Sequence, residues 1–248
     1  MKRLLRRFHP QPAVPAAGAA LRSVSRTHLG RVRRLNEDRV LDRADLGLWA
    51  VADGMGGHSR GDIAAETLVA HLAALPTPVS PQAIDDALQA ANRVVYQDHG
   101  GQSGTTLVML TIDQGAATVR WAGDSCAYLI RNGRPELLTR DHSLVQELVE
   151  AGLVTPDKAA THPKANVITR ALGTSPHVAV ETLSLALKAN DRVLLCSDGL
   201  SRSLEDRDVA ERCDIEPLAD RLLQNALQRD ASDNISLVIV EAAAGAAS

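Results

Sequence analysis

Apolar residues come in short runs separated by turn-forming residues through the middle of the chain. TLVMLTI (106–112) is followed by DQGA and then ATVRWAG (117–123), where Ala117, Val119 and Trp121 alternate with Thr118 and Arg120. That period of two belongs to a strand. CAYLIR (126–131) and RPELLT (134–139) are separated by Asn132-Gly133, the strongest short hairpin signal. Connections this short join only antiparallel neighbours. RVLLCS (192–197), ISLVIV (235–240) and the run that ends in Asp53 within LWAVADGMGG (48–57) add further strands.

A helical period interrupts them. Residues 62–75 place Ile63, Leu68, Val69, Leu72 and Leu75 at roughly helical spacing and stop at Pro76. Ser80-Pro81 reads as a cap followed by a first-turn proline, with Ile84, Leu88, Ala91 and Val95 on one stripe behind it. Ser143 with Gln146 resembles a capping box, and Gly152 ends the helix it opens. Pro217 to Arg229 forms a last helix on Leu218, Leu222 and Ala226. More strands than helices, with antiparallel pairing, predict an α+β fold, a sheet sandwich with helices outside. No repeat or linker divides residues 21–243, so one domain is expected.

Composition narrows the function classes. Apolar residues are 45% of the 248, enough for a sizeable core, but aromatics are only 2%. Leu, Val, Ile and Ala must therefore fill it. With 27 basic and 30 acidic residues, nothing argues for nucleic acid or a membrane surface. No apolar run approaches the roughly 18 residues of a spanning helix. The basic, Pro/Ala-rich residues 1–20 and the end EAAAGAAS are expected to be disordered tails. Cys126, Cys196 and Cys213 form no CxxC pair, which points away from disulfides and zinc and toward a reducing cytoplasm.

The candidate chemistry lies in a repeated grammar, an apolar strand followed by Asp and a small residue. Asp53 in VADG, Asp124 in VRWAGDS and Asp198 in VLLCSDG share it, Asp233 precedes ISLVIV, and Glu37-Asp38 stand in RRLNEDR. Any one alone is an ordinary turn aspartate. Together they suggest a shared site. Two unit charges about 4 Å apart at an effective dielectric near 20 cost on the order of 4 kcal/mol. A converging cluster therefore needs cations or protons, and an oxygen-only donor set selects a hard ion such as Mg²⁺ or Mn²⁺. Glycine after the aspartate lets backbone approach such an ion and offer the Gly54 carbonyl.

GRVRRLNEDR, VADGMGGHSRG, SGTT, AGDS, LTRDHSLVQELVEAG, HPKANVITRALG, LLCSDGL and SDNIS occur in this order over residues 22–240. In that combination the chain resembles the metal-dependent Ser/Thr protein phosphatases (protein phosphatase type 2C), their bacterial single-domain branch above all. The resemblance implies a central sandwich of two antiparallel sheets flanked by helix pairs, with two Mn²⁺ or Mg²⁺ ions at one edge and room for a third. It implies that Asp53 bridges both ions, the Gly54 carbonyl binds one, and Asp198 and Asp233 hold the other. Glu37 and Asp38 would support the site through water, and Asp124 would serve the third ion. Arg33 would bind substrate phosphate, and His58 is a candidate assisting acid. The implied reaction is in-line attack of a hydroxide between the ions on phosphoserine or phosphothreonine.

A mobile flap is implied over about 140–175. Phosphoproteins and a cognate Ser/Thr kinase are the implied partners, and a cytoplasmic monomer is expected. An inactive scaffold should have lost a carboxylate or the arginine, and none is missing; a phosphatase for small metabolites stays open. One motif departs from the family, with Cys126 where GDSR has its arginine.

Overall fold

The computed structural model describes residues 20–56, 60–113, 115–159, 161–211 and 213–243. In chain order the strands and helices are β1 (Ala20–His28), β2 (Asp38–Arg43), β3 (Leu48–Gly56), α1 (Gly61–Ala73), α2 (Pro81–His99), β4 (Ser103–Thr105), β5 (Leu107–Asp113) and β6 (Ala116–Ala122). There follow β7 (Cys126–Arg131), β8 (Arg134–Leu137), α3 (Leu144–Glu150), α4 (Pro156–Ala159), β9 (Glu181–Ala186), β10 (Arg192–Cys196), α5 (Asp198–Ser201), α6 (Asp206–Ala210), α7 (Ile215–Arg229) and β11 (Ile235–Ala243). One sheet has the order β1-β11-β10-β7-β8 and the other β2-β3-β5-β6-β9, with β4 paired to β3. Every named pairing is antiparallel.

Strand periodicity divides the apolar residues among three cores. Trp49, Val51, Val108, Leu110, Val119, Leu129, Leu195 and Val238 meet between the sheets. The alternate residues Leu48, Ala50, Leu107 and Met109 turn outward against Leu68 and Leu72 of α1 and Ile84 and Leu88 of α2. On the opposite outer face Leu194, Ile235, Leu237 and Ile239 pack on Leu218, Leu222 and Ala226 of α7. Central strands are covered on both faces, so they read as unbroken apolar runs rather than alternating ones. Each fully buried Leu, Ile or Val side chain contributes about 1.5–3 kcal/mol. The layers are thus helix, sheet, sheet, helix, with α1 and α2 paired on one side and α7 joined by the short α5 and α6 on the other.

Local signals formed what they predicted. Asn132 and Gly133 have φ of 54° and 71°, the positive values that a two-residue hairpin turn needs. Ser80 caps α2 by accepting the Ala83 N–H at 3.1 Å. Ser143 likewise accepts the Gln146 N–H at 3.3 Å. The return half of that capping box is absent, because Gln146 Nε2 donates to Glu150 Oε1 at 2.8 Å instead. The last helix starts at Ile215, two residues before the predicted Pro217, where the Asp214 side chain accepts the Ile215 N–H.

Four strands went unpredicted: the three-residue β4, paired only to β3, and β1, β2 and β9, each of which lies at a sheet edge. With one neighbour and a half-covered face, the polar content of those three edge strands hides the pattern. The sheet reaches one residue beyond the expected domain start at 21 and ends at 243, where the domain was expected to end. Ala20 pairs with Ala243, and Glu241 and Ala242 of the EAAAGAAS end lie in β11 within the expected domain 21–243. The rest of both expected tails lies outside the described residues.

Candidate active site

Chain direction alone brings five aspartates to one end of the sandwich. β3 reaches Asp53 where β2 begins with Asp38, and the two residues are register partners. In the other sheet β10 stops at Cys196, just before Ser197-Asp198, while β7 and β11 begin just after Asp124-Ser125 and Asp233-Asn234. Antiparallel neighbours alternate in direction, so these ends coincide.

Small polar side chains stitch the two sheets together there. Ser197 Oγ donates to Asp38 Oδ2 at 2.8 Å and accepts the Ser236 N–H at 3.0 Å. Asn234 Oδ1 accepts the Glu37 N–H at 2.9 Å, and its Nδ2 donates to the Leu29 and Leu35 carbonyls at 2.8 and 3.1 Å. Thr106 Oγ1 accepts the Asp53 N–H at 3.0 Å and lies 2.7 Å from Ser125 Oγ. These residues fix the carboxylate-bearing backbone. Sequence reasoning gave them no role, although Ser197 and Asn234 adjoin two of the candidate aspartates.

The carboxylates are strained electrostatically. Burial is the largest cause in each case. It pushes Asp38 and Asp198 to about 7 and Asp124 to about 6, with neighbouring aspartate charges adding to each. Asp53 is raised well above the usual carboxylate range by burial and by the charges of Asp38, Asp198, Asp124 and Asp233. Glu37 is raised too, first by burial. Two arginines offset part of this. Arg33 pairs with Asp233 at 2.7 Å, and Arg202 pairs with Asp198.

Several features fit a hard divalent ion. The Oδ1 atoms of Asp124 and Asp198 are buried without a hydrogen-bond partner. The donors are all oxygen. A Cβ on Gly54 would stand 2.2 Å from the Gly61 carbonyl oxygen and 2.7 Å from that of Glu37, so only glycine allows this packing. Among the described residues, however, no group of three or more His, Cys, Asp or Glu side chains stands ready-made to hold a metal. Asp233 and Asp198 are instead engaged by the Arg33 and Arg202 guanidinium groups. His58 lies outside the described residues.

The family model for protein phosphatase 2C matches residues 30–238. The chain belongs to that family. The serine/threonine protein phosphatase PstP of Mycobacterium tuberculosis is 36% identical over 235 residues, 89% of this chain. The chain spans only 45% of that relative's length. The serine/threonine phosphatase stp of Listeria monocytogenes is 35% identical over 237 residues, 87% of this chain and 94% of the relative. Among solved structures, PppA, titled a key regulatory component of T6SS in Pseudomonas aeruginosa, is 38% identical with a TM-score of 0.82, covering 90% and 99% of the two chains. The catalytic domain of PstP in complex with two manganese ions is 33% identical with a TM-score of 0.80, again covering 90% and 99%.

Within this protein phosphatase 2C chain, Cys126 occupies the departing motif position. Its thiol is buried, 3.3 Å from the Asp124 carbonyl oxygen and 3.6 Å from Asp141 Oδ1. Burial raises its pKa well above the usual thiol range, which suits an inert packing residue. His142 ties the segment after β8 to the Asp124 loop. Its ring Nδ1 accepts the Gly123 N–H at 3.1 Å, its backbone N–H donates to the Gly123 carbonyl at 2.9 Å, and its ring stacks on Trp121.

Proposed function

We propose that this chain hydrolyses phosphoserine and phosphothreonine in proteins, with two Mn²⁺ or Mg²⁺ ions at the Asp53 end of the sandwich and a third beside Asp124. The observation that carries the reading is the convergence of five buried or half-buried aspartates beside an arginine, with two carboxylate oxygens left without partners. The manganese-bound PstP relative supports the choice of ion.

In this reading Asp53 and the Gly54 carbonyl would hold the first ion, and Asp53, Asp198 and Asp233 would hold the second. Glu37 and Asp38 support them, and the Ser197 hydroxyl fixes Asp38. When bound, the ions supply an activated water and neutralise charge on the phosphoryl group. Arg33 leaves Asp233 to present its planar donors to the substrate phosphate. Arg202 likewise releases Asp198. The catalytic domain spans 21–243, with a flap over about 140–175. Its partners are phosphoproteins of a cognate Ser/Thr kinase, its setting is cytoplasmic, and it acts as a monomer. No described helix is long and apolar enough to cross a membrane.

The test is phosphate release from a phosphothreonine peptide and from sugar phosphates in Mn²⁺. Asp53→Ala is expected to abolish peptide turnover and calorimetric Mn²⁺ uptake while circular dichroism stays unchanged. Full turnover by that variant removes the assigned site. Faster release from sugar phosphates than from peptide moves the substrate class to small metabolites.

A further inference from the structure

The loop between β1 and β2 is held rigidly and aims outward. Gly30 has φ +81°, and a Cβ there would stand 2.2 Å from the Asp233 carbonyl oxygen. The Gly30 N–H donates to His28 Nδ1 at 2.9 Å, and the Arg31 N–H donates to the Ala231 carbonyl at 2.9 Å. Asn234 holds the carbonyls of Leu29 and Leu35, and Asn36 Nδ2 donates to Thr27 Oγ1 at 2.8 Å. Between these anchors residues 31–35, RVRRL, are all exposed, with Val32 68% accessible.

The arginines of this region differ in one respect. Arg22, Arg26, Arg39 and Arg43 are paired with Asp214, Glu216 and Asp220, Glu66, and Asp45. Arg33 is paired with Asp233. Arg31 and Arg34 have no ion-pair partner among the described residues. Two unneutralised guanidinium groups therefore flank the arginine that faces the carboxylate centre, on a backbone needing no ordering when something binds.

We infer that Arg31 and Arg34 select phosphopeptides with acidic side chains beside the phosphorylated residue, a specificity that rests on the phosphatase reading above. Bound ions would offset the charge of Asp53, Asp124, Asp198 and Asp233, so the charges that the flanks of a phosphopeptide meet at this rim are those of the exposed loop. The two free arginines form a positive lip there that attracts acidic flanks. Screening limits their reach to about 8–10 Å at ordinary ionic strength. An extended peptide advances roughly 3.3–3.6 Å per residue, so about two to three positions on either side of the phosphate are read. An exposed ion pair of this type changes affinity by about two- to fivefold.

The experiment compares kcat/KM for three phosphothreonine peptides of one length, flanked by Glu, Gln or Lys, with p-nitrophenyl phosphate as a flank-free control. The intact protein is expected to prefer the Glu peptide to the Gln peptide at least about fourfold in low salt, and to lose that preference at high salt. The double variant Arg31→Ala, Arg34→Ala is expected to cleave both peptides equally and to keep its rate on p-nitrophenyl phosphate. Equal cleavage by the intact protein, or a Glu preference that survives the double variant, overturns the inference alone. Hydrolysis of p-nitrophenyl phosphate but of no peptide overturns the protein-phosphatase reading, and this inference with it.

Discussion

Arg33 donates to Asp233 Oδ2 at 2.7 Å across two hundred residues of chain. The guanidinium is about half exposed, so as a stabilising contact the pair is worth at most about 1 kcal/mol. A charge-assisted hydrogen bond to substrate phosphate is worth more, about 1.5–3 kcal/mol. Arg33→Ala is therefore expected to raise KM for a phosphopeptide about tenfold or more while the melting temperature barely changes. Steady-state kinetics and calorimetry decide; an unchanged KM and kcat rejects the assigned role.

Stability should depend on pH in a direction set by the acidic cluster. Asp38 and Asp198 lie near 7 and Asp124 near 6, all above the ordinary value of 3.8. Between those limits the folded chain holds protons that the unfolded chain has released, so this contribution to stability declines as pH rises from about 4 to 7. In a chelator, the melting temperature is expected to fall from pH 5 to pH 8, less steeply in Asp38→Asn. Added Mn²⁺ should reverse the decline, with affinity rising over the same range as protons leave. A chelated protein that becomes more stable up to pH 8 contradicts this account.

Asn234 makes one bond to the Glu37 backbone and two to the loop carrying Arg33. Asn234→Asp keeps the acceptor, loses both donors and sets a charge against two carbonyls. An unsatisfied buried group costs about 1–3 kcal/mol. At least a tenfold loss in kcat/KM is expected, with faster amide exchange over residues 29–36 by mass spectrometry. Wild-type exchange there means that Asn234 does not hold the loop.

Gly54→Ala should fail by steric conflict. Its Cβ would meet backbone oxygens at 2.2 and 2.7 Å, neither of them at the end of a flexible side chain. Overpacking of this kind costs roughly 1–3 kcal/mol, and a melting temperature lowered by several degrees is expected. A variant as stable as the parent shows that β3 and α1 can separate without cost.

The aspartates at strand ends, the Asn132-Gly133 turn, the Ser80 cap and the helical stripes were all legible in the sequence, because each depends on neighbours a few residues away. Motifs in order were enough to suggest the family. His58 gained no position, since it lies outside the described residues. The edge strands β1, β2 and β9 escaped notice because half their side chains face solvent or small residues.

Tertiary structure alone decided that Ser197 grips Asp38, that Arg33 holds Asp233, and that Asn234 pins the arginine loop, whereas the Arg202–Asp198 pair is a local one, four residues apart. These partners are mostly far apart in the chain, and their pairing depends on strand order and register. Alternation and capping set local shape through short-range sterics and hydrogen bonds. That Arg33 reaches Asp233 depends instead on the pairing of β1 with β11, and that Ser197 reaches Asp38 on how the two sheets stack, and no local pattern encodes either.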